Sequence, residues 1–396
     1  MAYVVVDKKE QCCGCGACAD ACALSCIKME TDCEGFSYPV VEVSRCVSCG
    51  KCVAVCPISH ARDAMHPSVD DVAYAYVAGG EEIVKSSSSG GAFSLIMDAF
   101  FTRHENAVVV GASFCEMAVC HSIADNRTDA EKFKKSKYVQ SNTQGIFRKV
   151  KDLLATDRAV LFSGTPCQVA ALKMYLGRDY DKLLTVDIVC HGVPSQKCFD
   201  EYLRELEKKH SAKIVSVMFR YKRNFQGDKV NPRTLCLDFE NGQSVNMDMS
   251  ESEFLYAYYT GLIYRPSCAI CSFANPNRVG DITLADYWGI EEIHPELNSL
   301  RGVSLVRFNT EKGSFLKELF QSAGLFLETS WKFACAKNYQ LTFPATPHRN
   351  RKLFFRLRAK GVPFCENVVR CKRPEPILKR AFRKLCRILR RLFKRK

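Results

Sequence analysis

Eight cysteines in the first sixty residues stand in two identical combs: Cys12, Cys15, Cys18 and Cys22, then Cys46, Cys49, Cys52 and Cys56, the last followed by Pro57. Each comb reads C-x2-C-x2-C-x3-C. Three thiolates separated by two residues each can wrap one face of a metal cluster, while a fourth must arrive from a distant, antiparallel part of the chain. The spacing therefore obliges this region to fold back on itself. A structural zinc ion needs only four ligands, usually two C-x2-C pairs with a long spacer. Eight cysteines in matched combs exceed that need and point to iron–sulfur clusters and electron transfer.

The combs resemble those of bacterial ferredoxins, in which the fourth cysteine of each run ligates the other cluster. The resemblance implies one [4Fe–4S] cluster on Cys12, Cys15, Cys18 and Cys56 and a second on Cys46, Cys49, Cys52 and Cys22. Ala23 departs from the pattern, standing where a proline usually follows the fourth cysteine. Residues 1–60 are thus expected to form an α+β ferredoxin-like domain, with a hairpin in which 27–30 and 36–43 flank a turn at 32–35.

The 396 residues include 23 cysteines, which raises the alternative of a secreted disulfide framework. Residues 1–10 lack the long apolar core of a signal peptide, and thiolate ligands call for a reducing compartment, so a cytoplasmic location is expected. No stretch approaches the eighteen or so consecutive apolar residues of a membrane span. Of the net charge of +14, residues 372–396 contribute +11 through twelve Lys or Arg and one Glu. The body is nearly balanced, which gives no argument for specific nucleic-acid binding.

A polar stretch at 61–71 reads as a linker. From 72 to 348 the pattern alternates between apolar strands and helices, as in an α/β domain with a mixed, largely parallel sheet. Strands are expected at 107–111, 159–162, 184–189, 214–220, 234–239 and 304–308. Helices are expected at 92–103, 169–176 and 196–209, the last with Ser195 as N-cap after Pro194. Residues 349–396 read as a basic amphipathic C-terminal tail. There Leu378, Ala381, Phe382, Leu385, Leu389, Leu392 and Phe393 share one helical face and Lys and Arg fill the other. Such a helix suits an anionic membrane surface on the inner face, where each cation contributes on the order of 1 kcal/mol. A docked helix or a solvated basic tail are the alternatives.

Three loops are candidates for cofactor chemistry. Ser86 to Gly91 precedes an apolar helix, and glycines with hydroxyl side chains at a helix start suit phosphate oxygens; a flexible linker fits the composition equally. No G-x-G-x-x-G fingerprint occurs. The 163–168 turn and the 187–195 segment both follow strands, and ligands in open α/β sheets gather at such strand ends. These loops carry Cys167 and Cys190, and Cys268 with Cys271 adds a C-x2-C pair, enough thiolates for a third [4Fe–4S] cluster; buried packing cysteines are the competing reading. His191 beside Cys190 invites a catalytic dyad, but such pairs are recognised by geometry. Asp281 and Asp286 could orient a substrate or cap strand ends. Tyr287 and Trp288 could stack on a ring or serve as core. Cys13, Cys26, Cys33, Cys115, Cys120, Cys198, Cys236, Cys335, Cys365, Cys371 and Cys386 are left without a ligand role.

Taken in order, the combs, Ser89-Gly90-Gly91-Ala92-Phe93, Lys137-Tyr138-Val139-Gln140-Ser141, the 163–168 turn, the 187–195 segment, Arg265 to Cys271, Asp281 to Gly289 and Gly302 to Leu305 resemble the coenzyme F420 hydrogenase/dehydrogenase beta-subunit family. The resemblance implies an iron–sulfur flavoprotein oxidoreductase in which clusters exchange electrons with a flavin, expected as FAD, that acts on a small-molecule substrate. It implies a flavin site lined by Ser89, Gly90, Gly91, Lys137, Tyr138, Gln140, Ser141, Ser163, Gly164, Thr165 and Pro166. It favours the third cluster on Cys167, Cys190, Cys268 and Cys271, and leaves His191 and Asp286 as catalytic candidates. A redox partner protein or ferredoxin is the expected partner. The alternatives are a non-catalytic electron relay and a protein associated with polysaccharide biosynthesis. Members act on different substrates, so fold alone does not fix this one.

Overall fold

The computed structural model describes residues 3–68, 70–223 and 231–372. The two combs adopt the same backbone path. Gly14 and Ser48 take left-handed φ values of 70° and 54°, and Gly16 and Gly50 follow at 75° and 73°. Each second glycine caps a four-residue helix, Ala17–Asp20 in one comb and Lys51–Ala54 in the other. Between them β1 (Ile27–Thr31) and β2 (Ser37–Val41) pair antiparallel from Ile27↔Val41 to Thr31↔Ser37. The Asp32 carboxylate closes the turn by accepting the Phe36 N–H at 3.0 Å.

The remaining strands are β3 (Val72–Ala78), β4 (Val108–Cys115), β5 (Ala118–Ala124), β6 (Val160–Gly164), β7 (Leu183–Ile188), β8 (Ile214–Arg223), β9 (Asn231–Phe239), β10 (Ser244–Met247), β11 (Ile282–Asp286), β12 (Ser304–Phe308) and β13 (Gly324–Ser330). Eight of them form one mixed sheet in the order β13-β3-β12-β11-β7-β6-β4-β5. Its centre, β11-β7-β6-β4, is parallel, and antiparallel strands flank it on both sides. The mixed α/β class expected from the sequence holds. The central strands are apolar throughout, Val160 to Phe162 being fully buried, because helices and loops cover both faces.

The helices that cover them form where apolar spacing and caps agree. Helix Ala92–Arg103 has the expected bounds, and Gln196–His210 begins with the Ser195 hydroxyl accepting the Cys198 N–H. Helix Pro166–Leu176 starts three residues earlier than expected. Pro at its first position and a reciprocal Thr165–Gln168 capping box set that start.

Strands β8, β9 and β10 make a separate antiparallel sheet. Its apolar face shares a core with helix Gln196–His210, with Phe36 of the hairpin, and with Phe354, Phe355, Phe364 and Val368. The last four belong to helices Arg351–Ala359 and Phe364–Cys371. The first part of the segment read as a basic tail is therefore built into the body, because its aromatic side chains outweigh the surrounding charge. The amphipathic stretch of 377–393 lies outside the described residues. The 61–71 stretch is likewise anchored: Ala61 and Ala64 are buried, the His66 N–H donates to Arg278 O at 2.7 Å, and Arg307 donates to Ser68 and Asp70. No described helix is long and apolar enough to cross a membrane.

The β7 residue Asp187 and Arg278 form a fully buried ion pair at 2.5 Å. Removing one partner of such a pair strands the other charge without water. Arg278→Met is expected to lower unfolding free energy by about 3–5 kcal/mol in denaturant titration.

Candidate functional site

Three groups of thiols gather in the fold. In the first, burial and then the neighbouring Cys12 and Cys56 charges push the Cys18 thiol up to about 12. At Cys15 a bond to Cys13 lowers the thiol, but burial and then the Cys18 and Cys12 charges leave it raised. Cys12, Cys15, Cys18 and Cys56 thus sit within one another's electrostatic reach. In the second group Cys22, Cys46 and Cys52 pack together, and Cys49 is exposed. Cys26 joins this group unexpectedly: its sulfur lies 3.3 Å from that of Cys22. Its thiol is pushed up to about 11 by that bond, by burial, and by the charges of Cys22 and Cys46.

The third group forms where β6 and β7 end side by side. Cys167 lies in the first turn of helix Pro166–Leu176, Cys190 follows β7, and Cys268 sits on the short helix Pro266–Ile270 with Cys271 just beyond it. Burial raises the Cys190 thiol well above its usual value, and Cys268, Cys167 and Cys271 each push it further. The four cysteines from three segments therefore face one crevice, as neighbouring parallel strand ends require.

The donor chemistry of all three groups is sulfur with backbone N–H groups aimed at it. Gly14 N–H points to Cys12 Sγ at 3.4 Å, Val4 N–H to Cys52 Sγ at 3.3 Å, and Gly192 N–H to Cys190 Sγ at 3.4 Å. Thiolates of this kind hold iron–sulfur clusters, and hydrogen bonds to the sulfurs tune them. Among the described residues no three His, Cys, Asp or Glu side chains converge on a point for one metal ion. Cys115 and Cys120 are joined as a disulfide across the β4–β5 hairpin.

A cluster of cationic side chains lies beyond the third group. Arg220, buried and left-handed at φ 59°, donates to Asp286 at 2.8 Å and to Ser88 O at 3.0 Å. Lys222, also buried, donates to Ser89 O at 2.8 Å. Burial and then the Arg220 charge lower the Lys222 ammonium to about 7, against the pull of Asp286. Gly302 has no room for a side chain here, since a Cβ would come within 2.5 Å of both Lys222 Nζ and Ser89 O. Two cations lie over the Trp288 ring, Arg233 at 4.9 Å and Arg220 at 5.6 Å from its centre. His191 faces this cluster, where burial lowers its imidazole while Asp286 raises it and Arg220 and Arg233 lower it. A tyrosine run joins cations and sulfurs: Tyr138 stacks on Tyr258 at 4.3 Å, and Tyr264 meets Tyr258 edge-on at 5.6 Å. The Tyr264 ring in turn packs against Gly192, two residues after Cys190.

The other sequence candidates divide between this cluster and structural duties. Ser89 donates to Val303 O at 2.8 Å, and Gly90 N–H donates to Ser304 Oγ at 2.9 Å, so the Gly-rich loop is knitted to β12. Gly91 takes φ 95° to start the helix. Lys137 donates to Lys132 O and Lys134 O at 2.7 Å each, which pins its own loop, and burial lowers it to about 7. Ser141 bonds His121 Nδ1 at 2.5 Å, and His121 Nε2 lies 3.0 Å from Ser163 O. Burial holds His121 neutral, at about 4. Gly164 ends β6, and Thr165 and Pro166 are used in capping the next helix. Gln140 lies at the junction with the combs, donating to Cys13 O at 2.8 Å. Asp281 is structural, receiving the Thr185 N–H and hydroxyl and the Thr310 hydroxyl. Tyr287 is core, whereas Trp288 is half-buried at the cluster. Sequence reasoning missed Cys26, His121, Arg220, Lys222 and Arg265. Of these only Arg265 had a signal, its place three residues before Cys268.

The part of the chain that carries the crevice and the cationic cluster is similar to a class of oxidoreductase subunits. Residues 157–330 match the family described as the C terminus of the coenzyme F420 hydrogenase/dehydrogenase beta subunit. Among solved structures, the F420-reducing [NiFe] hydrogenase complex from Methanosarcina barkeri, in a xenon derivative, matches at 16% identity and a TM-score of 0.44. The match covers 75% of this chain and 94% of that one. No curated protein matches.

The 3.3 Å approach of Cys22 and Cys26 makes the fourth ligand of the second group testable. If Cys22 is the ligand, Cys22→Ser is expected to lose about four irons from anaerobically reconstituted protein and Cys26→Ser none, by iron and sulfide analysis.

Proposed function

We propose that the chain is an iron–sulfur flavoprotein of the oxidoreductase type. In this reading the ferredoxin-like unit holds two [4Fe–4S] clusters, on Cys12, Cys15, Cys18 and Cys56 and on Cys46, Cys49, Cys52 and Cys22. The crevice holds a third, on Cys167, Cys190, Cys268 and Cys271, and the pocket beyond it holds a flavin. The observation that carries the reading is the adjacency of a partly buried four-thiol set and a cluster of buried cations, joined by packed tyrosines. A bound flavin supplies the exchange between one-electron carriers and a two-electron hydride.

The chain's own residues then have distinct tasks. Arg220 and Lys222 hold positive charge beside the Ser88–Ser89 carbonyls, where an anionic phosphate or carboxylate would be drawn. Asp286 orients Arg220 through their 2.8 Å contact and keeps the guanidinium from folding away. Trp288 offers a ring face at the mouth, and the buried tyrosines exclude water between pocket and sulfurs. The family's description names coenzyme F420, and an anionic deazaflavin of that type is the substrate class to test first. A redox partner protein would meet the exposed side of the second group, where Cys49 stands among exposed Val43, Val47 and Val53. Exposed Glu42, Arg45 and Lys51 surround these valines, and an apolar centre with a charged rim suits protein contacts.

Anaerobic reconstitution tests the reading directly. About twelve irons per chain with one flavin are expected; about eight irons would reject the third cluster, and full clusters without flavin would favour a non-catalytic relay. The pocket also makes a pH prediction. An anion bound beside Lys222 raises its depressed ammonium back up, so binding takes up a proton once the free amine has titrated near 7. Flavin or substrate affinity should weaken from about pH 6 to about pH 8, by at most about tenfold per unit. Lys222→Gln should flatten that slope in fluorescence titrations.

A further inference from the structure

Arg265 is 1% exposed and lies between the first thiol group and the third. The other large buried arginines each face a carboxylate: Arg278 faces Asp187, Arg220 faces Asp286, and Arg307 faces Asp70. Among the described residues no carboxylate comes within ion-pair distance of Arg265. Its guanidinium instead donates from Nε to Cys12 O at 2.8 Å, from one terminal nitrogen to Gln140 Oε1 at 3.1 Å, and from the other to Ser37 O at 2.9 Å. That last nitrogen also reaches Cys12 Sγ at 3.8 Å. The aromatic faces of Tyr38, at 4.4 Å, and Phe36, at 5.3 Å, enclose the group.

A buried guanidinium supported only by neutral acceptors is costly, and the missing negative charge has to come from close by. The nearest group able to supply it is the Cys12 sulfur. The chain has been shaped to bring the two together. Gly14 at φ 70° leaves space that a Cβ would fill, coming 2.5 Å from Arg265. Backbone bonds fix the base of the side chain: Arg265 N–H donates to Val193 O and Cys268 N–H donates to Arg265 O. The same residue thus sits one turn from the third thiol group, and its charge is also felt at Cys167 and Cys268.

We infer that Arg265 is the counter-charge of the cluster held by Cys12, and that it raises the reduction potential of that cluster above what its ligands alone would give. A positive charge stabilises the more negative, reduced state, so removal of the charge lowers the potential. The inference rests on the iron–sulfur reading above and concerns a positioning residue, not a ligand.

The test is potentiometric titration followed by electron paramagnetic resonance, on full-length protein reconstituted without oxygen, after iron and sulfide have been counted. Arg265→Gln keeps polar donors and removes the charge; Arg265→Lys keeps the charge and loses the fork. With iron complete, Arg265→Gln is expected to shift one cluster downward, raising its oxidised-to-reduced ratio at fixed poise about tenfold, or 59 mV for one electron. Arg265→Lys should stay near the wild type. Equal potentials in all three proteins, or equal shifts in both variants, would overturn the inference. If Arg265→Gln cannot hold iron, Gln140→Glu decides: it sets a carboxylate against the guanidinium and must lower the same cluster alone. No shift there, or a shift of both comb clusters together, overturns it. A wild-type protein that takes up no iron would instead sink the iron–sulfur reading itself.

Discussion

A single carboxylate, that of Asp187 near the end of β7, determines whether the crevice can exist. Its oxygens receive the Arg278 guanidinium at 2.5 Å and the Gly280 N–H at 2.7 Å, with the Val279 N–H at 3.2 Å. Arg278 in turn donates to Phe273 O and Asn275 O. The loop that leaves Cys271 is therefore strapped to the strand that delivers Cys190 three residues later. Without that strap two thiols on a surface loop would have no fixed relation to two thiols at strand ends. The cost of burying one ion pair is met by the number of backbone groups it satisfies at once.

Apart from Arg265, the molecule handles its buried cations in two ways. Arg220, Arg278 and Arg307 are neutralised by carboxylates, whereas Lys137 and Lys222 are surrounded by carbonyl oxygens and drift toward the neutral amine. The difference follows from chemistry: guanidinium stays charged at any ordinary pH and must be paired, while a desolvated ammonium can shed its proton. Lysines of the second kind respond to an arriving anion, because the anion restores the proton. Each lysine donates to two carbonyls, Lys137 to Lys132 O and Lys134 O and Lys222 to Val84 O and Ser89 O; what sets Lys222 apart is the neighbouring Arg220 charge, which adds to its depression and would draw an anion to its side.

Local signals made part of this legible in the sequence. Helix Ala92–Arg103, strand Ser304–Phe308 and the Ser195 cap are set by residues within a few positions of one another, and the structure places them as read, with the β1–β2 hairpin within two residues of its expected bounds. Cys167 and Cys190 could be paired in advance because adjacent parallel strands end at the same edge. The antiparallel flanks were not legible: β3, β12 and β13 are joined by partners 230 or more residues apart in places, such as Val306↔Tyr74 and Leu325↔Val77. No local pattern states such a choice. The same holds for Arg220 and Lys222, whose burial follows from β8 lying over the Ser88–Ser89 loop, far away in sequence. Phe354 and Phe364 were submerged in a run of Lys and Arg that suggested a solvated tail.

The separation of sulfur and cation is itself a consequence of packing. Tyr138, Tyr258 and Tyr264 are stacked or edge-on in sequence, and Tyr138 accepts a hydrogen bond from Tyr259 at 3.4 Å. These rings fill the space that water would otherwise occupy between Cys190 and Arg220. Such a spacer lowers the local dielectric between the cations and Cys190. Aliphatic side chains could exclude water as well, but they would not span the gap with rigid, flat surfaces at van der Waals contact. Rigid rings in contact therefore tie the placement of the cationic side chains to that of the Cys190 loop.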